Sequence, residues 1–318
     1  MRLGFAVKVL GQGGLPSHDT RRWRSGPHLR VSLERLGEVF RYLERTGIDM
    51  YRMTASLAPY ATHPDLPRFH GQVEESREEL AALGAEAARI GLRLSTHPGQ
   101  YVVLNSEDER TRALAVADLD LQAEILDAMA LGPEAVVVVH VGGAAGGREA
   151  AKDRFLRGFE RLSERARARL AIENDDRTFA LREVLGLAAR TGMPVVWDVL
   201  HHHCNDPDHV PDREALELAL ASWPDGVRPK IHYSSPKTAL EERVRRVGRR
   251  VERTPVLPQL RAHADLIDPI GFEAFLTQAA RGLDFDVMLE AKAKDLALLR
   301  LRAQLSERGV PLGGTRAP

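Results

Sequence analysis

LRLSTHPGQY, residues 92–101, and AVVVVHVGG, residues 135–143, decide how this chain is read. In each, an apolar, β-branched run meets a histidine near its C-terminal end, His97 in the first and His140 in the second. Such runs mark strands buried on both faces. The pattern recurs downstream. ARLAIEND (168–175) brings in Glu173, and PVVWDVLHHH (194–203) brings Asp198 with His201 three residues on. RPKIHYSS (228–235) carries His232, and FDVMLEAK (285–292) carries Glu290.

Working outward, strands are expected over 3–7, 50–53, 92–96, 135–141, 170–173, 195–198, 230–233 and 285–290. Helical patterns fall between and after them, over 33–45, 72–90, 109–129, 148–166, 181–190, 212–222, 272–278 and 293–307. Gly47, Gly91, Gly132, Gly192 and Pro194 punctuate the junctions. Eight β-α units in order predict an α/β (β/α)₈ TIM barrel over residues 1–308, with a flexible tail over 309–318. A doubly wound sheet is the alternative. Its phosphate loop would follow the first strand, but LGQGG at 10–14 has the wrong spacing and no helix directly behind it. Three long insertions, 10–32, 54–71 and 234–270, follow strands one, two and seven, and so belong on the face where barrel enzymes work.

Composition narrows the classes. The 318 residues carry 45 basic and 45 acidic side chains, so any hold on nucleic acid must come from a local patch. The lone cysteine, Cys204, excludes an internal disulfide and suits a cytoplasmic setting. The N-terminal stretch has no signal-peptide pattern, and no apolar run reaches membrane-spanning length.

His97, His140, Glu173, Asp198, His232 and Glu290 all stand where strands three to eight end. Buried carboxylates without partners cost several kcal/mol each, roughly, and a cation removes that cost. Imidazole plus carboxylate suits Mn²⁺, Zn²⁺ or Fe²⁺, so a polynuclear site is expected, with Glu173 bridging two ions. Asp198 and His201 can project into one pocket. His202 and His203 are expected behind the site or at the surface. Lys230 shares a strand face with His232. It is either ion-paired to a carboxylate or a lysine of lowered pKa, able to act as a base or to add CO₂. His70, in the second insertion, would orient or protonate. Ions a few ångströms apart suit phosphodiester hydrolysis.

Taken together, LGF at 3–5, MYRMTASLAPYATHP, LSTHPGQYVVLNS, HVGG, IENDD, WDVLHH, KIHYSS, RAHADLI and LEAKAKD resemble the UV damage endonucleases. These are metal-dependent barrels similar in site layout to endonuclease IV and, more distantly, to xylose isomerases. HPGQY and IENDD followed by DVLHH are the specific segments. The resemblance implies one metal held by His97, His140 and Glu173, and a second held by Glu173, Asp198, His232 and Glu290. It implies a third held by His201 and His263, with Lys230 nearby in the position that the family carboxylates. His70 matches an additional catalytic histidine. Gln100 and Tyr101 match the pair that probes the duplex at the lesion, as a wedge replacing flipped bases would. The family has tyrosine and asparagine where this chain has Phe5 and Val9; Phe5 keeps a ring for stacking on damaged bases, but Val9 has no side-chain hydrogen bond to offer.

The third insertion contains EERVRRVGRRVER, with Arg243, Arg245, Arg246, Arg249, Arg250 and Arg253. It reads as a solvated helical face or as a grip on DNA phosphates. The expected activity is nicking of UV-damaged double-stranded DNA on the 5′ side of pyrimidine dimers and 6-4 photoproducts, with abasic sites as a further substrate. Two to three divalent ions, Mn²⁺ first, would serve a monomer that needs no nucleotide cofactor and no membrane. A sugar isomerase or epimerase on the same barrel is the alternative, and a non-catalytic damage-binding protein is a further one. The arginine-rich insertion argues against the former, the full ligand set against the latter.

Overall fold

The computed structural model describes residues 1–248 and 250–312. Arg249, expected at the DNA, and residues 313–318 of the expected tail lie outside the described residues. The first strands are β1 (Leu3–Ala6), β2 (Met50–Arg52), β3 (Arg93–Ser95), β4 (Val137–His140), β5 (Leu170–Glu173), β6 (Val195–Val196) and β7 (Lys230–Tyr233). Then come β8 (Glu241–Val247), β9 (Arg250–Val256) and β10 (Asp286–Leu289). Hydrogen bonding orders β3–β2–β1–β10–β7 in one sheet and β4–β5–β6 in another, all parallel. Single parallel bridges join the two sheets, Thr96 to Val137 and Asp198 to His232. There the Thr96 N–H donates to the Val136 carbonyl at 3.1 Å and the His232 N–H to the Trp197 carbonyl at 2.9 Å.

Helices cover the strands because their apolar residues recur on one face. In the helix Leu29–Thr46, Leu29, Leu33, Leu36, Val39, Phe40 and Leu43 are buried. It starts four residues before the expected Leu33, because the His28 side chain caps the Arg30 N–H. It stops at Gly47, whose φ of 60° suits a residue without Cβ. Two expected long helices are broken. One divides at Ser76 into Gln72–Glu75 and Arg77–Arg89. The other divides into Arg148–Glu160 and Glu164–Arg169, where the Ser163 hydroxyl caps the second piece. Gly84 is required by close packing: a Cβ there would lie 1.7 Å from the Met129 carbonyl oxygen.

Three expectations are corrected. The arginine-rich segment is an antiparallel hairpin, β8 on β9, in place of a helical face. Its β-branched residues recur along both strands, and Gly248 at φ 61° supplies the turn. Phe5 does not face DNA. It is fully buried in β1, edge-to-face on Tyr51 at 5.4 Å, because an apolar ring in a central strand gains more from the core than from water. Val9 is also buried. The tail does not begin loose, since Val310 and Leu312 pack against the core. No helix among the described residues is long and apolar enough to cross a membrane.

Side chains alternate along each strand, so residues two apart stack in layers. On β10 and just beyond it, Asp286, Met288 and Glu290 occupy successive layers, beside Lys230 and His232 of β7. At the strand-start end, Arg93 and Asp286 form an ion pair at 2.9 Å with neither side chain exposed. Asp286 also accepts from the Arg2 N–H and from Arg228, each at 2.8 Å. Asp286→Ala would leave Arg93 buried without its partner. We expect it to cost about 3–5 kcal/mol in urea unfolding. Arg93→Met with Asp286→Leu should cost less than the single change.

Candidate metal centre and its rim

The opposite end of the strands gathers the chemistry. Glu173, at the end of β5, is about 1 % exposed. Its Oε2 accepts from His97 Nε2 at 3.0 Å and lies 3.5 Å from His140 Nε2. Its Oε1 accepts from His232 Nδ1 at 2.9 Å and lies 3.5 Å from His201 Nδ1. The imidazoles form a chain, with His97–His140 centroids at 5.2 Å, His140–His201 at 5.7 Å and His201–His263 at 5.8 Å. Glu290 lies 3.3 Å from His232 Nδ1, and its backbone carbonyl accepts from His263 Nδ1 at 2.9 Å.

The local backbone explains these positions. Asp198 caps the short helix Val199–Cys204, accepting from the His201 N–H at 2.7 Å. The three-residue spacing therefore works through a helix start and holds both side chains at one pocket. Asn174 fixes Asp198 from behind. Its Oδ1 accepts from the Asp198 N–H at 2.9 Å, and its Nδ2 donates to the Asp198 carbonyl at 3.1 Å.

Three overlapping sets of potential metal ligands result: His97, His140 and Glu173; Glu173, Asp198 and His201; Asp198, His232 and Glu290. In each, one ligand atom per residue lies within 4.8 Å of the others. Asp198 Oδ2, His140 Nδ1 and His232 Nε2 are buried with no hydrogen-bond partner among the described residues. Buried polar atoms are seldom left so. Orphaned oxygen and nitrogen lone pairs in an imidazole–carboxylate set fit divalent cations.

The electrostatics agree. Burial pushes the Glu173 carboxyl up, but His232 and His140, with hydrogen bonds from His232 and His97, hold it well below the usual range. Burial, with Glu173 and Glu290 nearby, raises Asp198 to about 6 against the pull of His201. Burial lowers His140 and His232. His201 is raised to about 9, because Asp198, Glu173 and Glu290 outweigh its own burial. Lys230 is fully buried, and its Nζ has no hydrogen-bond partner. Burial, Arg93 and Arg52 push it well below the usual lysine range. The ion pair considered for it is not formed.

The family model for UV-endonuclease UvdE matches residues 29–311. The chain belongs to the UV-endonuclease UvdE family. The UV DNA damage endonuclease of Bacillus velezensis is 34 % identical over 272 residues, 85 % of this chain and 79 % of that protein. That of Bacillus pumilus is 35 % identical over 262 residues, 81 % and 75 %. A crystal structure of SacUVDE superposes with a TM-score of 0.80 at 28 % identity, covering 98 % of this chain and 100 % of that one. D-psicose 3-epimerase from Clostridium cellulolyticum reaches a TM-score of 0.54 at 13 % identity, covering 98 % and 99 %, and shares the fold alone. As a UvdE member the chain is a DNA endonuclease, so the sugar-isomerase and binding-only alternatives fall away.

Of the expected site residues, His97, His140, Glu173, Asp198, His201, His232, Glu290 and Lys230 do converge, and His263 joins beside Glu290 and His201. The grouping of His201 with Glu173 and Asp198 was not anticipated; it follows from the helix cap. His202 is buried and bonds the Val210 carbonyl at 2.9 Å, and His203 pairs with Asp212 at the surface. His70 is not brought to the cluster: it is exposed, its Nε2 3.0 Å from the His63 carbonyl. Gln100 and Tyr101 stand out on the rim, Tyr101 82 % exposed. Two UvdE residues were missed. Arg52, at the end of β2, pairs with Glu290 and helps hold its carboxyl far down. Asn174 was visible only as part of the IENDD motif. A charged residue ending an otherwise apolar strand was the available signal for Arg52.

His201 supplies a pH signature. Its folded pKa of about 9 exceeds the ordinary 6.5, so its contribution is full below pH 6.5 and is lost as pH rises through 9. In chelator-treated protein, unfolding free energy should fall across that window by at most about 3 kcal/mol. His201→Gln should flatten the fall in urea melts at pH 6, 7.5 and 9.

Proposed function

We propose that the two sheets and their joining bridges act as one closed (β/α)₈ barrel whose mouth nicks UV-damaged duplex DNA on the 5′ side of the lesion. The lesions are pyrimidine dimers and 6-4 photoproducts, with abasic sites as a further substrate. Hydrolysis of the phosphodiester leaves a 3′-hydroxyl and a 5′-phosphate. The observation that carries the reading is the set of three overlapping ligand groups among the described residues, joined through the buried Glu173 and Asp198, in a chain of an endonuclease family.

His97, His140 and Glu173 would hold one divalent ion, and Glu173, Asp198, His232 and Glu290 a second. His201 and His263 would hold a third beside Lys230. Mn²⁺ is the first choice, with Zn²⁺ and Fe²⁺ accepted by the same donors. Bound there, such ions lower the pKa of an attacking water and neutralise charge on the phosphodiester. Asn174 and Arg52 keep Asp198 and Glu290 aimed inward, so little reorganisation is needed when substrate arrives. Lys230, pushed well below the usual lysine range by burial, Arg93 and Arg52, would serve as a proton acceptor or take up CO₂. Gln100 and Tyr101 probe the duplex from the rim. Arg243, Arg245, Arg246 and Arg250 form no ion pair among the described residues, and the hairpin offers them to phosphates. His70, exposed and bonded elsewhere, has no part in the chemistry proposed.

The direct test is nicking of UV-irradiated and unirradiated supercoiled plasmid with Mn²⁺ and with EDTA. Relaxation of the irradiated plasmid alone, abolished by EDTA, is the expected result. Glu173→Ala or His140→Ala should lower the rate on the order of 10²–10³-fold or more while leaving lesion binding in place. Full activity in either would remove the assignment.

The rim has a second, separable test. Gln100→Ala with Tyr101→Ala should lose the preference for irradiated over intact duplex. Charge reversal of Arg245, Arg246 and Arg250 should instead weaken binding to both duplexes alike and flatten the salt dependence. A preserved preference, or an unchanged salt slope, would overturn the respective role.

A further inference from the structure

Residues 20–33, TRRWRSGPHLRVSL, carry four arginines and no acidic residue. The first nine of them precede the matched family region, which begins at Leu29. They do not form a loose loop. Asp19, about 2 % exposed, anchors them. Its carboxylate accepts from the Arg21 guanidinium at 2.6 Å, the Arg21 N–H at 3.1 Å and the His28 N–H at 3.0 Å. Its own N–H donates to Ser32 Oγ at 2.9 Å. A single helical turn over Trp23–Ser25 closes on Gly26, whose φ is 58°. Arg21 is consumed in holding this shape.

Arg30 is also consumed, pairing with Glu79 at 2.9 Å, but the remaining two are not. Among the described residues, Arg22, Arg24 and Arg68 pair with no carboxylate. Arg24 and Arg68 lie over the indole of Trp23, 5.1 Å and 5.3 Å from its centroid. Arg68 also lies 4.7 Å from the Phe69 ring and donates to the Trp23 carbonyl. Trp23 itself is 40 % exposed. An indole that orders two guanidiniums at a solvated surface reduces the entropy lost when they take a ligand. The segment follows β1, and Arg68 follows β2. The strand order β3–β2–β1–β10–β7 therefore sets them between Gln100–Tyr101, after β3, and the arginine hairpin, after β7.

We propose that Arg22, Arg24 and Arg68, the last two ordered by Trp23, form a second grip on the phosphate backbone of duplex DNA, separate from the hairpin. The idea rests on the endonuclease reading only in bringing DNA to this rim. Planar guanidiniums match the fork of phosphate oxygens. In a chain with no net charge, an acid-free basic stretch is where such attraction must come from. Trp23 acts by positioning the arginines and does not itself read sequence.

The test measures affinity for intact and irradiated duplex oligonucleotides across a salt series. Arg22→Gln with Arg24→Gln should lower the slope of log affinity against log salt by about 2, since each phosphate contact contributes roughly 0.9. The loss should be the same on both duplexes, and kcat at saturating DNA should be unchanged while KM rises. Trp23→Ala should weaken binding less than the double arginine change. Should the double variant unfold, Arg22→Gln and Arg24→Gln alone should each lower the slope by about 1. A wild-type slope and affinity in the arginine variants would overturn the proposal, and would leave the endonuclease reading intact if Glu173→Ala still abolished nicking. A lowered slope in a wild-type background that fails to nick irradiated plasmid would keep this grip and remove that reading.

Discussion

Everything at the working end of this molecule depends on one buried carboxylate. Glu173 is almost sealed from water, yet it is held in its charged form by imidazoles from four other strand ends. A charge so placed is tolerated only with dense compensation. The protein provides it by ringing Glu173 with His97, His140, His201 and His232, then backing the ring with Asp198 and Glu290. Those acids need compensation in turn. Arg52 answers Glu290, and Asn174 holds Asp198 through its backbone, leaving Oδ2 without a protein partner. The orphaned lone pairs make divalent cations the natural completion of the site.

The same rule operates at the opposite end with the opposite solution. There Arg93 and Asp286 are equally buried, but they satisfy each other and neighbouring groups directly. Because strand side chains alternate, the two layers are two steps apart on the same faces. Asp286 and Glu290 share β10's inward row, as Lys230 and His232 share that of β7. One layer is closed and structural; the other is open and unsatisfied. Lys230 lies between them, with the cationic Arg93 on one side and the carboxylate mouth on the other. Its lack of a partner marks the boundary where structural pairing gives way to chemistry.

The rim is built by another logic. Insertions after β1, β2, β3 and β7 carry exposed arginine, glutamine and tyrosine. In a chain of balanced total charge, some of these cations are paired, as Arg21 with Asp19 and Arg253 with Glu242, while among the described residues Arg22, Arg24, Arg68, Arg243, Arg245, Arg246 and Arg250 form no ion pair.

Much of this was legible in the residues. Buried-strand runs ending in histidine or carboxylate showed an all-parallel α/β order, because period and termination are local properties of a chain. They also named nearly every member of the potential metal-ligand sets and the motifs that place the chain in its family. The tertiary structure decided what depends on neighbours far apart in sequence. Phe5 looked available for stacking but lies in the core, since an aromatic residue in a central strand is read the same way whichever side is covered. The arginine stretch looked like a helical face, and only the pairing of its two halves made it a hairpin. His201 joined Glu173 and Asp198 only once Asp198 became a helix cap, and Arg52 entered the site only because β2 and β10 flank β1 and end on the same side of the sheet. Sequence alone determined which imidazoles and carboxylates stand at the strand ends; folding decided their partners, because pairing energies arise only between groups that packing brings together.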